Sequence, residues 1–146
     1  MQIRVLVCDD DKKFVQDMVE RLKELTADRP ICITGCSAPE KLTDQFLSDF
    51  QIMFLDIDMG NYNGLEIARR VRKLRLDTVL IFVTHYMEYS PEGYEVKAFR
   101  YLLKSNIEEK LPRYLMYKTL PSPKLVLAKL GNEAGIIGAA MLGKAQ

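Results

Sequence analysis

The sequence lacks the features that mark membrane, secreted and nucleic-acid-binding proteins. No apolar run approaches the ~20 residues that a membrane span needs, and Gln2–Val5 leads directly into a strand pattern rather than a signal peptide. The 21 basic and 20 acidic side chains leave a net charge of +1, so no overall field favours nucleic acid or anionic lipid. We therefore expect a cytoplasmic protein without membrane contact.

Cysteine and histidine are too few and too scattered to predict a disulfide framework or a zinc site. The three cysteines, Cys8, Cys32 and Cys36, lie in or beside predicted strands, where a buried thiol acts as a small apolar residue. Cys32 and Cys36 would need two further metal ligands nearby, and the single histidine, His85, is distant in sequence. We therefore interpret the cysteines as core residues.

What the sequence does have is an alternation of short apolar runs and amphipathic segments. Strands are predicted at Ile3–Cys8, Ile31–Ile33, Ile52–Leu55, Val79–Val83 and Ala98–Leu103, and helices over about residues 14–25, 37–47, 65–72, 87–96 and 107–118. Asp11 is predicted to cap the first helix. Ser37, Pro39 and Glu40 are predicted to open the second helix as a capping box.

Strands that alternate with helices predict parallel pairing through right-handed crossovers. The expected fold is therefore α/β, a flavodoxin-like, doubly wound, five-stranded parallel sheet of order 2-1-3-4-5 with helices on both faces. In that order the first and third strands are neighbours at the switch point. Asp9, Asp10 and Asp56 would then share one pocket.

Four strand ends carry groups suited to phosphoryl transfer. Asp9 and Asp10 follow the first strand, Asp56 the third, Thr84 the fourth and Lys104 the fifth. Crowded carboxylates that stay ionised normally hold a divalent cation, and an all-oxygen site suits Mg²⁺. Lys104 can supply a fixed cation and Thr84 a hydrogen-bond donor for phosphoryl oxygens. We predict that Asp56 accepts the phosphoryl group as an acyl phosphate.

At these residues the sequence resembles the response-regulator receiver family of two-component signalling, over residues 1–118. The sequence of Ala98–Lys104 is most similar to receivers of LytTR-type transcription regulators. The resemblance implies the CheY-like form of the flavodoxin-like fold. The motifs that carry it are Val7–Asp11, Phe54–Met59 with Asn63–Gly64, Phe82–Thr84, and Ala98–Lys104.

The resemblance implies a set of partners for the carboxylates. A sensor histidine kinase would phosphorylate Asp56, and Asp10 and Asp56 would ligate Mg²⁺. Asp9 would act partly through water, and Asp58 would offer its backbone carbonyl to the metal. The protein would accept a phosphoryl group without being an enzyme, apart from slow self-dephosphorylation.

The resemblance also implies a switch. Thr84 and Lys104 would bind the phosphoryl group, and Tyr101 would be the aromatic residue that turns inward when Thr84 is drawn toward the phosphate. The local charge change would then alter the surface formed by the fourth helix and fifth strand.

Three residues depart from the family pattern. Gly60 stands where the family usually has proline after the phosphorylation site, and Ser105 stands where proline usually follows the lysine. His85 replaces the small residue that usually follows the threonine, so that either its bulk would obstruct the phosphodonor or its imidazole would join the site. These departures bear on activity and leave the fold expectation unchanged.

The chain is predicted to divide into a receiver domain at residues 1–118 and a linker with an apolar tail at residues 119–146. Residues 124–146 resemble the C-terminal end of ROK-family sugar kinases but carry no sugar or nucleotide site. No recognition-helix pattern or basic cluster follows residue 118, so no DNA-binding domain is predicted in this chain. Because an apolar tail must be buried, we expect it to favour a homodimer.

Two other functions stay open on the sequence alone. Asp56–Asp58 also fits the Asp-x-Asp signature of haloacid-dehalogenase-type phosphatases. Those enzymes place the nucleophile after the first strand and the acid pair late, which is the reverse of the order here. The second alternative is a receiver-like binding module that is never phosphorylated, and the departures at Gly60, His85 and Ser105 would favour it.

Overall fold

Short apolar runs form a five-stranded parallel sheet in the computed structural model, which describes residues 2–74, 76–85, 95–108 and 111. The strands are β1 (Ile3–Cys8), β2 (Ile31–Cys36), β3 (Ile52–Leu55), β4 (Asp58–Met59), β5 (Tyr62–Asn63), β6 (Val79–Thr84) and β7 (Arg100–Leu103). The α-helices are α1 (Lys12–Leu25), α2 (Asp44–Leu47) and α3 (Gly64–Lys73), and the 3-10 helices are Pro39–Lys41 and Lys104–Asn106.

The order of the large sheet is β2-β1-β3-β6-β7, with every pair parallel. β6 and β7 are the predicted fourth and fifth strands, so the predicted order 2-1-3-4-5 is confirmed. β3 and β6 are almost fully buried, as expected for parallel strands covered on both faces.

Helices lie on both faces of the sheet, as two adjacent residues of β2 demonstrate. Cys36 packs against the core cluster that α2 and α3 build with Leu47 and Val71. A Cβ atom on Gly35 would lie 2.6 Å from Val15 Cγ1 of α1. Because neighbouring strand residues point to opposite faces, α1 covers the face opposite to α2 and α3.

The first and third helices begin where capping residues place them. Asp11 accepts a hydrogen bond from Phe14 N at 3.1 Å, which confirms the predicted cap of α1. Asn63 caps α3 by accepting from Leu65 N at 2.8 Å.

The prediction for the second helix is wrong. Ser37 is not its cap, and no side chain caps the 3-10 helix Pro39–Lys41, whose N-cap position is Ala38. The chain is then extended at Leu42 and Thr43. Thr43 caps α2, since its hydroxyl oxygen accepts a hydrogen bond from the backbone N of Phe46. The predicted helix is thus interrupted between Lys41 and Asp44. Pro39 and Leu42 are both buried, and this burial outweighs the local preference for one continuous helix.

Other boundaries shift modestly. β2 continues to Cys36 rather than ending at Ile33, and β7 begins at Arg100 rather than Ala98. The hairpin of β4 and β5 was not predicted, and its turn contains Gly60 at a φ of 67°. The predicted helices at 87–96 and 107–118, the boundary at residue 118 and the whole tail lie largely or wholly outside the described residues.

Backbone contacts divide the chain into two units, Met1–Lys104 and Ser105–Gln146. The large sheet belongs to the first unit. The 3-10 helix Lys104–Asn106 begins at the last residue of the first unit, and residues 107 and 108 of the second unit are helical. Across the described ranges, we find no helix with the length and apolar character needed to cross a bilayer.

The guanidinium of Arg72 ties the end of α3 to two neighbouring segments. It donates to the carbonyls of Leu76 and Thr78 at 2.9 and 2.8 Å, and to those of Val96 and Lys97 at 2.6 and 3.2 Å. Burial lowers the pKa of Arg72, although its charge is kept throughout the working range. One side chain therefore fixes the chain entering β6 and the chain approaching β7.

Replacing Arg72 with alanine is expected to lower the free energy of unfolding by about 2 kcal/mol, because partly buried carbonyls lose their donor. Urea denaturation followed by far-UV circular dichroism measures this loss. Lys73→Ala is the matched control, since Lys73 is the next residue and is exposed. Equal losses in the two variants would contradict the role given to the Arg72 contacts.

Candidate functional site

The carboxyl ends of the central strands meet at one edge of the sheet, where the candidate residues lie. Cys8 pairs with Leu55, Leu55 with Phe82, and Thr84 with Leu103. In this register Asp9 and Asp56 are level with Val83. Thr84 lies one residue further along β6, and Lys104 follows Leu103, the partner of Thr84. This register brings the ends of β1, β3, β6 and β7 together.

Three carboxylates form a cluster at that edge. One oxygen from each of Asp9, Asp10 and Asp56 lies within 4.8 Å of the others. Asp9 and Asp56 are buried, whereas Asp10 is exposed. The cluster can therefore be reached from solvent on the Asp10 side and offers only hard oxygen donors, the type that Mg²⁺ prefers.

Lys104 completes the site by bridging the two buried carboxylates. Its ammonium forms an ion pair with Asp9 Oδ2 and lies 3.2 Å from Asp56 Oδ2, with 8% of the side chain exposed. The same ammonium lies 4.6 Å from the centre of the Phe14 ring. Phe14 thus covers the cation with an aromatic face at the start of α1.

Burial dominates the ionisation of the carboxylates. It raises the pKa of Asp9, and the bonds from Lys104 and from the backbone N–H of Asp11 offset only part of this rise. Burial likewise raises the pKa of Asp56, and the charge of Asp9 raises it further. Burial alone would lower the pKa of Lys104, but its hydrogen bonds and charge interactions with Asp9 and Asp56 outweigh burial and raise it.

Two backbone contacts fix the acidic residues, and sequence reasoning missed both. The N–H of Asp11 donates to Asp9 Oδ1 at 2.9 Å, so the turn that caps α1 also orients Asp9. A Cβ atom on Gly64 would lie 2.0 Å from the carbonyl oxygen of Asp56, which means that α3 starts in backbone contact with that residue. The Asn63–Gly64 pair before a helix was the available signal for the second contact.

The structure does not bring every predicted site residue into the cluster. Asp58 is exposed in β4, where it pairs with Asn63, and its side chain is outside the three-carboxylate group. Thr84 is buried at the end of β6. Tyr101 pairs with Phe82, their ring centres are 5.2 Å apart, and Tyr101 is half-buried against the core. His85 is exposed directly after Thr84.

Comparisons with known proteins agree with this architecture. LytT of Bacillus subtilis, a sensory transduction protein, is 28% identical over 134 residues that cover 91% of this chain and 55% of LytT. LytT of Bacillus cereus is 32% identical over 113 residues, which cover 77% of this chain and 46% of that protein. The chain therefore spans about half the length of the curated relatives it matches.

Solved structures show the same fold. The response regulator TrrA of Thermotoga maritima, in complex with Mg²⁺-BeF, is 28% identical with a TM-score of 0.59, covering 80% of this chain and 97% of TrrA. DrrB of Thermotoga maritima is 25% identical with a TM-score of 0.63, covering 80% of this chain and 52% of DrrB. The predicted CheY-like fold is thereby confirmed.

A family assignment follows from the sequence itself. The sequence model of the response regulator receiver domain matches residues 5–115, which is well over half of the chain. The matched stretch contains the acidic cluster and Lys104. The chain belongs to the response regulator receiver domain family.

Proposed function

We propose that this receiver domain accepts a phosphoryl group on Asp56, with Mg²⁺ held at the Asp9, Asp10 and Asp56 carboxylates. The observation that carries the proposal is the cluster itself, three carboxylates within 4.8 Å with the Lys104 ammonium 3.2 Å from Asp56. The donors fit Mg²⁺ because all are oxygens and because the exposed Asp10 leaves one side open to water and phosphate. The Mg²⁺-BeF complex of TrrA supports the same assignment.

Asp56 would act as the nucleophile. Its carboxylate oxygen forms a new bond to phosphorus as the bond from phosphorus to the donor breaks, and the donor departs with the electron pair of that bond. A bound Mg²⁺ would neutralise charge on the carboxylates and on the transferring phosphoryl oxygens. Lys104 is held where it can pair with a phosphoryl oxygen, and the Thr84 hydroxyl would donate to another.

The proposed phosphodonor in the cell is a sensor histidine kinase, whose phosphohistidine would lose its phosphorus–nitrogen bond in this step. The proposed readout is the Thr84 and Tyr101 switch, since Tyr101 pairs with Phe82, which lies two residues before Thr84 on the same face of β6. Asp58 would contribute its backbone carbonyl to the metal.

Two further proposals concern the whole protein. One is a homodimer. The other is a role in transcription regulation, which is supported by similarity to the transcriptional regulatory protein LytR of Staphylococcus aureus, 24% identical over 102 residues.

The mass of the intact protein tests this proposal. Incubation with Mg²⁺ and acetyl phosphate or phosphoramidate is expected to add one phosphoryl group to the wild type and none to Asp56→Asn. Asp17→Asn, which changes an exposed carboxylate on α1, should gain the same mass as the wild type. No gain in the wild type, or a gain that persists in Asp56→Asn, would overturn the proposal. The protein should not turn over p-nitrophenyl phosphate, which a phosphatase would.

Stability without metal is expected to fall as the pH rises from about 4 toward neutrality. The pKa values of Asp9 and Asp56 are raised above their unfolded values of about 3.9. The fold therefore binds more protons than the unfolded chain, and the stability that these groups contribute below their unfolded pKa is lost as they ionise. Asp56→Asn should flatten this dependence.

Mg²⁺ should reverse the loss at neutral pH. At 100 times its dissociation constant, the ion is expected to raise the free energy of unfolding by about 2.7 kcal/mol at pH 7 and by much less near pH 4. Urea titrations at both pH values, with Mg²⁺ or with a chelator, measure the difference. An equal effect at both pH values would contradict binding to Asp9 and Asp56.

A further inference from the structure

Two of the three cysteines are paired across neighbouring strands, an arrangement that the family fold does not explain. Cys8 ends β1 and Cys36 ends β2, and their Cα atoms are partners in the parallel register. Cys32 lies on the same strand as Cys36, but its partner in the register is Arg4. Only one cysteine pair is therefore aligned among the described strands.

The Cys8 and Cys36 side chains point to the same face of the sheet. Cys8 belongs to the core cluster and is 1% exposed, whereas Cys36 is half-buried and packs against the same cluster. Because the two residues are partners in the register, their thiols lie side by side on that face. On its other side Cys8 Sγ lies 3.8 Å from Met59 Sδ. A reagent in solution therefore meets Cys36 first, because Cys8 is the more deeply buried of the two.

We propose that Cys36 and Cys8 form a reversible disulfide, which makes the end of β1 and β2 a redox modification site beside the acidic cluster. The earlier interpretation of Cys8 and Cys36 as core residues then applies only to the reduced protein. The pair differs from a lone thiol because the cysteine that is oxidised first has a second cysteine as its direct partner on the neighbouring strand.

The oxidant is a hydroperoxide, and the reaction needs two steps. The Cys36 sulfur attacks one peroxide oxygen, and an S–O bond forms as the O–O bond breaks. Cys36 becomes a sulfenic acid, and its thiol proton leaves with the other oxygen, as water from hydrogen peroxide or as an alcohol from an organic hydroperoxide. The Cys8 sulfur then attacks the Cys36 sulfur, an S–S bond forms, the S–O bond breaks, and a second water carries away the Cys8 proton. Two electrons pass from the two thiols to the peroxide.

The backbone allows this bond with a small shift. Neighbouring strands lie about 4.8 Å apart, which is inside the Cα separation of about 4.4–6.8 Å that disulfides span. The Cβ atoms must approach to about 3.8 Å, which is closer than the strand spacing. Closing the bridge therefore draws β1 and β2 together at their last residues.

That shift falls on the acidic cluster. Cys8 precedes Asp9, and the backbone N–H of Asp9 donates to the Cys36 carbonyl at 3.2 Å. Met59, in contact with Cys8, belongs to the hairpin that follows Asp56. Because the surroundings of a metal ligand commonly alter affinity about 10- to 100-fold, we expect the disulfide to weaken Mg²⁺ binding at least tenfold. This second part depends on the proposed function, whereas disulfide formation does not.

The test treats the whole chain with hydrogen peroxide, records the intact mass, and only then blocks the remaining thiols for peptide mapping. The wild type is expected to lose the mass of two hydrogen atoms, and peptide mapping without reductant should find Cys8 joined to Cys36. Cys32→Ser should behave as the wild type. Cys36→Ser and Cys36→Ala should form no bridge, and both should fold because Cys36 is half-buried. Dithiothreitol should restore the starting mass.

Several results would overturn the proposal. A bridge to Cys32, a bridge between two chains, or accumulation of oxygen on Cys36 without any loss of hydrogen would each show that Cys8 is not the resolving thiol. Mg²⁺ affinity, measured by NMR on the purified disulfide form, decides the second part. An affinity within twofold of the reduced protein would leave a redox site with no effect on the acidic cluster, and would overturn the coupling.

Discussion

Replacing Lys104 with methionine is expected to slow phosphorylation of Asp56 by about 100- to 1000-fold, the usual effect of removing one fixed charge from a phosphoryl or oxyanion site. Methionine keeps much of the aliphatic length that packs near Phe14 but removes the ammonium. The Asp56 nucleophile stays in place, so its reactivity falls because the transferring phosphoryl oxygens lose their cation. Mass spectrometry at timed intervals with acetyl phosphate measures the rate.

The same substitution should move Mg²⁺ affinity in the opposite direction. In the metal-free protein the Lys104 ammonium neutralises the carboxylates of Asp9 and Asp56, so it competes with a divalent cation for them. Without it the buried carboxylates face only each other, and Mg²⁺ should bind more tightly. Tighter metal binding together with slower phosphorylation cannot come from general unfolding.

Stability gives a third readout of Lys104→Met. Removing one partner of a buried ion pair costs about 3–5 kcal/mol, and a loss of this size is expected at neutral pH without metal. Without the Lys104 charge, the pKa values of Asp9 and Asp56 should rise further. The loss should therefore shrink as the pH falls, because both carboxylates become protonated within the fold and no longer need a cation. Lys41→Met, at an exposed lysine, is the control. A pH-independent loss, or an unchanged rate of phosphorylation, would contradict the role given to Lys104.

The sequence was sufficient to place the candidate residues at the strand ends. Each apolar run that closes on a polar residue marks a strand terminus, and parallel pairing puts all such termini at one edge. Asp9, Asp56, Thr84 and Lys104 could therefore be assigned to one edge before any contact was known. The carboxylate cluster and the Lys104 bridge follow from the same alignment.

Contacts that depend on register or on close packing could not be predicted in this way. The Cys8–Cys36 pair exists only because β2 runs on to Cys36, three residues past its predicted end. The Phe14 ring meets Lys104 across 90 residues of sequence, and no local pattern encodes that contact. The break before α2 arose because tertiary burial of Leu42 overrode a plausible capping box.

Replacing Gly64 with alanine is expected to lower the free energy of unfolding by about 3 kcal/mol, at the upper end of the usual cost of overpacking. The added Cβ would lie 2.0 Å from the Asp56 carbonyl oxygen, 2.9 Å from the Asp56 carbonyl carbon and 3.3 Å from Ile57 Cα. All three are backbone atoms, so no flexible side chain can move aside. The first turn of α3 must move away from Asp56. The hydrogen bond that the Gly64 N–H donates to the Ile57 carbonyl, now 2.9 Å, would then be stretched or lost.

Gly64→Ala should also slow the phosphorylation of Asp56, because the backbone atoms that the new methyl group displaces belong to Asp56 itself. Displacing a reacting group by about 1 Å costs on the order of 100-fold in rate, so Gly64→Ala should phosphorylate far more slowly than the wild type even where it remains folded. Gly60→Ala is the control variant. It distinguishes the effect of a steric clash, expected at Gly64, from the effect of an unfavourable backbone conformation, expected at Gly60. Gly60 has a φ of 67°, and the nearest atom to its added Cβ would be Asp10 Oδ2 at 3.9 Å. That control should therefore cost only the ~1 kcal/mol of a left-handed residue. If Gly64→Ala lost no more stability than Gly60→Ala, α3 could not be held in contact with Asp56, and the site would need another explanation for the position of its nucleophile.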